Sequence, residues 1–102
     1  MSHITTSTDQ DVLVIKIDPA SLNDFDFTYA VEIEIDEAFQ RFNTKNAVID
    51  LQNLKTLDSV GLRIFVRLLQ KAKKRSGRVI LCNATGVVAD VLRLSRLVSV
   101  TA

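Results

Sequence analysis

Three short runs of β-branched and aliphatic residues, Val12–Ile17, residues 47–51 and residues 78–82, are each followed by a stretch with helical periodicity. That alternation leaves few folds open. Strands separated by a helix pair in parallel through right-handed crossovers, so the pattern implies βαβ units and an α/β layer fold. The expected architecture is a mixed, largely parallel sheet of four to five strands with about three helices, in a single domain over residues 1–102. With 102 residues, 47% of them hydrophobic, the chain can build one core. A domain of this size hides about 60 to 70% of its unfolded surface, which leaves no room for a deep catalytic cleft and argues against an enzyme acting alone.

The individual elements follow from periodicity and punctuation. Residues 2–10 are polar and rich in Ser and Thr, fitting either a frayed start or a weak edge strand. Asp18-Pro19 closes the first firm strand, because proline brings no ladder donor. Over residues 28–42 a strand-like alternation competes with a helical stripe of Val31, Ile35, Ala38, Phe39 and Phe42. Length, the cap candidates Asp26 and Thr28, and the late Arg41 favour the helix. Residues 52–57 read as a loop. The next helix opens at Asp58-Ser59, turns Val60, Ile64, Phe65, Leu68, Leu69 and Ala72 inward, and sets Arg63, Arg67, Lys71 and Lys74 in water. Gly77 is expected to end it in a left-handed conformation. A turn at Asn83-Ala84, a short helix over residues 85–94 and an edge strand over residues 97–100 complete the expected order.

Charge and composition exclude several functions. Thirteen Lys and Arg against twelve Asp and Glu give a net charge of +1, without the field that would steer the chain to nucleic acid or anionic lipid. The cations near Lys71, Lys73, Lys74, Arg75 and Arg78 lie at a helix C-terminus, where they complement the dipole and stay solvated. No basic leader or apolar span is present, so a cytoplasmic protein is expected, without membrane insertion. The lone Cys82 excludes an internal disulfide and reads as core filling. His3 stands alone in a terminal tail, and Asp50 reads as an exposed strand-end carboxylate, so neither assembles a metal or acid-base site. No cofactor is expected. Asn83-Ala84-Thr85 matches a glycosylation sequon, which carries no weight without secretion.

The functional signal lies in Asp58-Ser59-Val60-Gly61-Leu62, where the chain leaves a parallel strand for a helix. Ligands and partners of such sheets gather at these carboxyl ends. Free backbone donors and the helix dipole favour an anion there, and Gly61 has no side chain to wall off the turn. Taken by themselves, the residues fit an ordinary helix cap, with either Ser59 or Asp58 as the N-cap, better than a docking site.

The longer stretch changes the balance. Val48-Ile49-Asp50-Leu51, the loop, Asp58-Ser59-Val60-Gly61-Leu62, a basic amphipathic helix, Gly77, then Val79-Ile80-Leu81-Cys82-Asn83 and a helix with Val91-Leu92 resembles the STAS family, the sulfate-transporter and anti-sigma-factor-antagonist domains. The resemblance implies a single STAS-like domain. It also implies a stand-alone anti-sigma factor antagonist that captures an anti-sigma factor serine kinase of the histidine-kinase-like ATPase class. Phosphorylation of Ser59 would release that kinase, and a metal-dependent serine phosphatase would reverse the modification. Partner contacts are expected at Asp58, Val60, Gly61 and Leu62. Arg63 and Arg67 suit either an acidic patch on the kinase or plain solvation. Family members often carry a glycine and an acid where the first long strand turns into the first helix; this chain has Ser21-Leu22-Asn23-Asp24, so Asn23 and Asp24 stand where kinase contacts would fall. Ala102 falls short of the final helix of many relatives, so the 97–100 edge is expected to be open. A different role under the same resemblance is an unmodified accessory subunit of a transporter ATPase or a regulatory scaffold.

Overall fold

The computed structural model describes residues 3–22 and 25–94, and builds the α/β layers that the alternation demands. Strands β1 (Ile4–Asp9) and β2 (Val12–Ile17) pair antiparallel from Ile4 opposite Ile17 to Asp9 opposite Val12. The N-terminal stretch is therefore a paired edge strand. Gln10 and Asp11, which join the two, both have positive φ, 51° and 68°, as a two-residue type I′ hairpin requires. Neither is the glycine or asparagine that usually marks such a turn.

Beyond the hairpin, β2 pairs in parallel with β4 (Asn46–Asp50), and β4 with β6 (Val79–Cys82), giving the sheet order β1-β2-β4-β6. A second, two-stranded parallel sheet joins β3 (Ser21–Leu22) to β5 (Thr56–Leu57), inside the stretch expected to be loop. The helices are α1 (Phe25–Phe42), α2 (Ser59–Lys74) and α3 (Gly86–Leu94). The strand expected over residues 97–100 lies outside the described residues.

Alternation along β2 buries Leu13, Ile15 and Ile17 while Val12, Val14 and Lys16 stay half-exposed. On α1 and α2 the helical spacing buries Val31, Ile35 and Ala38, and Ile64, Phe65 and Leu68. These faces form one contiguous core with the sheet.

Helix ends depart from expectation in two places. Because α1 starts at Phe25, Asp26 sits in its first turn and Thr28 lies inside the helix, only 2% exposed, so Thr28 is no cap. At the end of α2 the left-handed residue is Ser76 (φ 59°), not Gly77. The Ser76 amide donates to the Lys73 carbonyl at 3.1 Å and the Gly77 amide to the Ala72 carbonyl at 2.8 Å, the paired bonds of a Schellman cap. Gly77 is needed for another reason: a Cβ there would stand 2.0 Å from the Lys45 carbonyl oxygen.

His3 is not in a loose tail. Its backbone amide donates to Glu34 Oε1 at 2.8 Å, and its ring Nδ1 lies 2.5 Å from Glu34 Oε2. The ring also packs edge-on against Phe27, with centroids 4.6 Å apart. The start of β1 is thereby fastened to α1.

Candidate functional site at the start of helix α2

The chain leaving β4 is held firmly as it approaches the serine. The Leu54 amide closes a turn on the Leu51 carbonyl at 3.0 Å, and both side chains are fully buried. The Lys55 and Thr56 amides both donate to the Ala20 carbonyl, at 2.7 and 3.2 Å, just before β3 and β5 pair. The two segments singled out in the sequence, the turn near Ser21 and the turn at Ser59, are thus side by side. Asn23 and Asp24 themselves lie outside the described residues.

Asp58 is the N-cap of α2, with extended backbone (φ −109°, ψ −167°). Its Oδ1 accepts from the Val60 amide at 2.9 Å and the Gly61 amide at 3.1 Å, and its carbonyl accepts from the Leu62 amide at 2.9 Å. The carboxylate therefore fills the amide site that opens the helix. Asp58→Ala is expected to lower stability by about 1 kcal/mol, read as a fall of about 4 °C in Tm by thermal denaturation.

Ser59 is the first residue of α2 and is exposed. Val60 and Leu62 are half-buried, leaving apolar surface beside the hydroxyl. Gly61 differs from expectation: it is buried, and a Cβ there would lie 2.5 Å from the Leu22 carbonyl oxygen and 2.9 Å from Leu22 Cβ. Its bare face is turned against β3, so it admits the neighbouring strand and does not open the turn to a partner.

The basic stripe of α2 is also partly spent within the fold. Arg67 Nη1 lies 2.7 Å from Glu32 Oε1, and Lys71 Nζ lies 2.9 and 2.8 Å from the two oxygens of Asp36. Glu32 is only 5% exposed, so its charge requires this pairing. Arg63, by contrast, is exposed and makes no ion pair among the described residues. Sequence reasoning missed the acidic partners because it placed α1 and α2 separately; the spacing of Glu32 with Asp36 and of Arg67 with Lys71, one turn each, was the available signal.

At the far ends of β4 and β6, Asp50 Oδ1 accepts from the Gln52 amide at 2.9 Å and Asn83 Nδ2 at 3.1 Å. Cys82 is half-buried, and burial, with the Asp50 charge added, raises its thiol above the ordinary value. The folded chain holds this proton more tightly than the unfolded chain. Its contribution to stability is therefore complete below the ordinary thiol pKa and declines as pH rises through the raised one. Alkylation of Cys82 by iodoacetamide should consequently run slower than that of a free thiol at mildly alkaline pH, and faster in Asp50→Asn, measured by mass spectrometry.

Among the described residues there is no group of three or more His, Cys, Asp and Glu side chains able to hold a metal ion. Nor is any described helix long and apolar enough to cross a membrane.

This arrangement has relatives. A family model described as the STAS domain matches residues 3–101. An anti-sigma F factor antagonist from Paenibacillus polymyxa is 30% identical over 67 residues, which cover 66% of this chain and 57% of that protein, so the match spans little more than half of the relative's length. Among solved structures, a putative anti-sigma factor antagonist from Thermotoga maritima superposes with a TM-score of 0.80 at 18% identity, covering 97% of this chain and 86% of that one. The anti-sigma factor antagonist SpoIIAA in its unphosphorylated form superposes with a TM-score of 0.79 at 19% identity, covering 97% and 85%. Helix order, mixed sheet and the match over nearly the whole length agree, and the chain belongs to the STAS domain family.

Proposed function

We propose that this domain is an anti-sigma factor antagonist that works by partner switching. Unmodified, it binds an anti-sigma factor serine kinase of the histidine-kinase-like ATPase class; phosphorylation of Ser59 releases it, and a serine phosphatase restores it. It is a binding module and carries out no reaction of its own. The likeness to an antagonist from Paenibacillus polymyxa supports the general role, and a structure of the Bacillus protein SpoIIAA in its phosphorylated form shows that this fold accommodates a phosphoryl group in a relative.

The observation that carries the proposal is the exposure of Ser59 on the first turn of α2, directly beyond a carboxylate that already occupies the helix amides. A phosphoryl group adds about 1.5 to 2 negative charges. With the Val60 and Gly61 amides engaged by Asp58, that charge stays on the outer surface, next to a like charge, where a partner's surface would have to cover it. Desolvating it there opposes binding while the domain itself stays folded.

Incubation with an ATPase-class anti-sigma kinase and ATP, followed by intact-mass and peptide analysis, tests the assignment. One added phosphoryl group on Ser59 is the expected result. Its absence, with binding retained, leaves the unmodified accessory-subunit role in its place.

A further inference from the structure

Between the first halves of α1 and α2 runs a small groove of about 100 Å³, lined by Thr28, Tyr29, Glu32, Val60, Arg63 and Arg67 among others. A water's share of liquid volume is about 30 Å³, so the groove has room for the end of one short side chain. Two features of its lining point to a ligand. The Thr28 hydroxyl is buried and has no hydrogen-bond partner among the described residues. Arg63 brings an exposed guanidinium without an ion-pair partner among the described residues, while the other cation in the groove, Arg67, is already held by Glu32 at 2.7 Å. That same pairing, with Lys71 Nζ 3.9 Å from the second oxygen, neutralises Glu32, the one carboxylate that lines the groove among the described residues.

We propose that this groove receives a carboxylate side chain, an Asp or Glu presented by the anti-sigma partner, with the Arg63 guanidinium pairing with it and the Thr28 hydroxyl donating to it. The assignment rests on the partner-switching role for its occupant, though not for its chemistry. A net cation with a hydroxyl donor selects an anion; the apolar flank of Val60 and the small volume select a side-chain end. Arg63 lies one helical turn beyond Ser59 on the same helix, so a partner residue seated here places its neighbours over the serine. A buried hydroxyl lacking a partner is costly to keep, and it becomes satisfied when the groove is filled.

N-acetyl-glutamate α-amide, with the glutamine analogue as an uncharged control, is titrated into the ¹⁵N-labelled domain. The glutamate probe is expected to shift the Tyr29, Val60 and Arg63 amides saturably, and the glutamine analogue is not. Arg63→Ala and Thr28→Val are each expected to weaken the glutamate probe about tenfold, the loss of one charge-assisted hydrogen bond. Thr28→Val should at the same time raise Tm, because it removes the unpaired hydroxyl; weaker binding in a more stable protein separates a recognition role from a structural one. Calorimetry with an ATPase-class anti-sigma factor should show a similar loss for Arg63→Ala. Equal shifts from both probes, or unaltered probe binding by the two variants, overturn the proposal. Groove-confined shifts from the glutamate probe in a domain whose Ser59 accepts no phosphoryl group keep the carboxylate site and remove the partner-switching role.

Discussion

Ser59→Asp is expected to lower affinity for an ATPase-class anti-sigma factor about a hundredfold, a loss of about 3 kcal/mol, with no loss of fold. The serine is exposed, and an acid in the first turn of a helix agrees with its dipole, so Tm should hold or rise slightly. The charge cannot be absorbed by the Val60 and Gly61 amides, because Asp58 Oδ1 already bonds both. It must be desolvated in any interface that covers the turn. Isothermal calorimetry on wild type, Ser59→Asp and Ser59→Ala checks this: the alanine variant should bind like wild type and resist switching. Affinity unchanged in Ser59→Asp sinks the mechanism.

The second large effect concerns the glycine two residues further on. Gly61→Ala sets a Cβ 2.5 Å from the Leu22 carbonyl oxygen and 3.2 Å from Leu57 Cβ. The obstacle is backbone of β3, which cannot swing aside as the tip of a side chain would. Relief requires α2 to move off the small β3-β5 sheet, at an expected cost of about 2 to 3 kcal/mol and a fall of about 10 °C in Tm. Thermal and urea denaturation measure it. A variant that melts like wild type yet loses its partner would return Gly61 to the role of a contact residue.

How far the sequence could be read depended on where the information lay. The parallel strands and the inward stripes of α1 and α2 were legible because burial imposes a period on each, and a cap at Asp58-Ser59 was legible because its chemistry is local, although only the structure assigns it to Asp58. The β1-β2 hairpin was not, since Gln10 adopts positive φ without being a residue that favours it, Asp11 stands where glycine is usual, and tertiary pairing supplies the compensation. The β3-β5 sheet is two residues long on each side, too short for any periodicity. At the site, the position of Ser59 followed from the strand-to-helix junction, whereas its exposure does not come from the bare Gly61, which faces β3. The roles of Gly61 and Gly77 did not, because both are set by segments distant in sequence, Leu22 and Lys45, that approach too closely for a side chain. Thr28 reads in the sequence as a cap candidate, although its spacing of three from Val31 and seven from Ile35 puts it on the inward stripe.

The acid-base ladder joining Glu32 and Asp36 to Arg67 and Lys71 has a kinetic meaning. Two helices latched at successive turns present a finished mould before any visitor arrives. The helix backbones then need no reordering on encounter, so the ordering cost falls on exposed side chains such as Arg63, and capture is expected to be set by how often the two molecules collide in the right orientation.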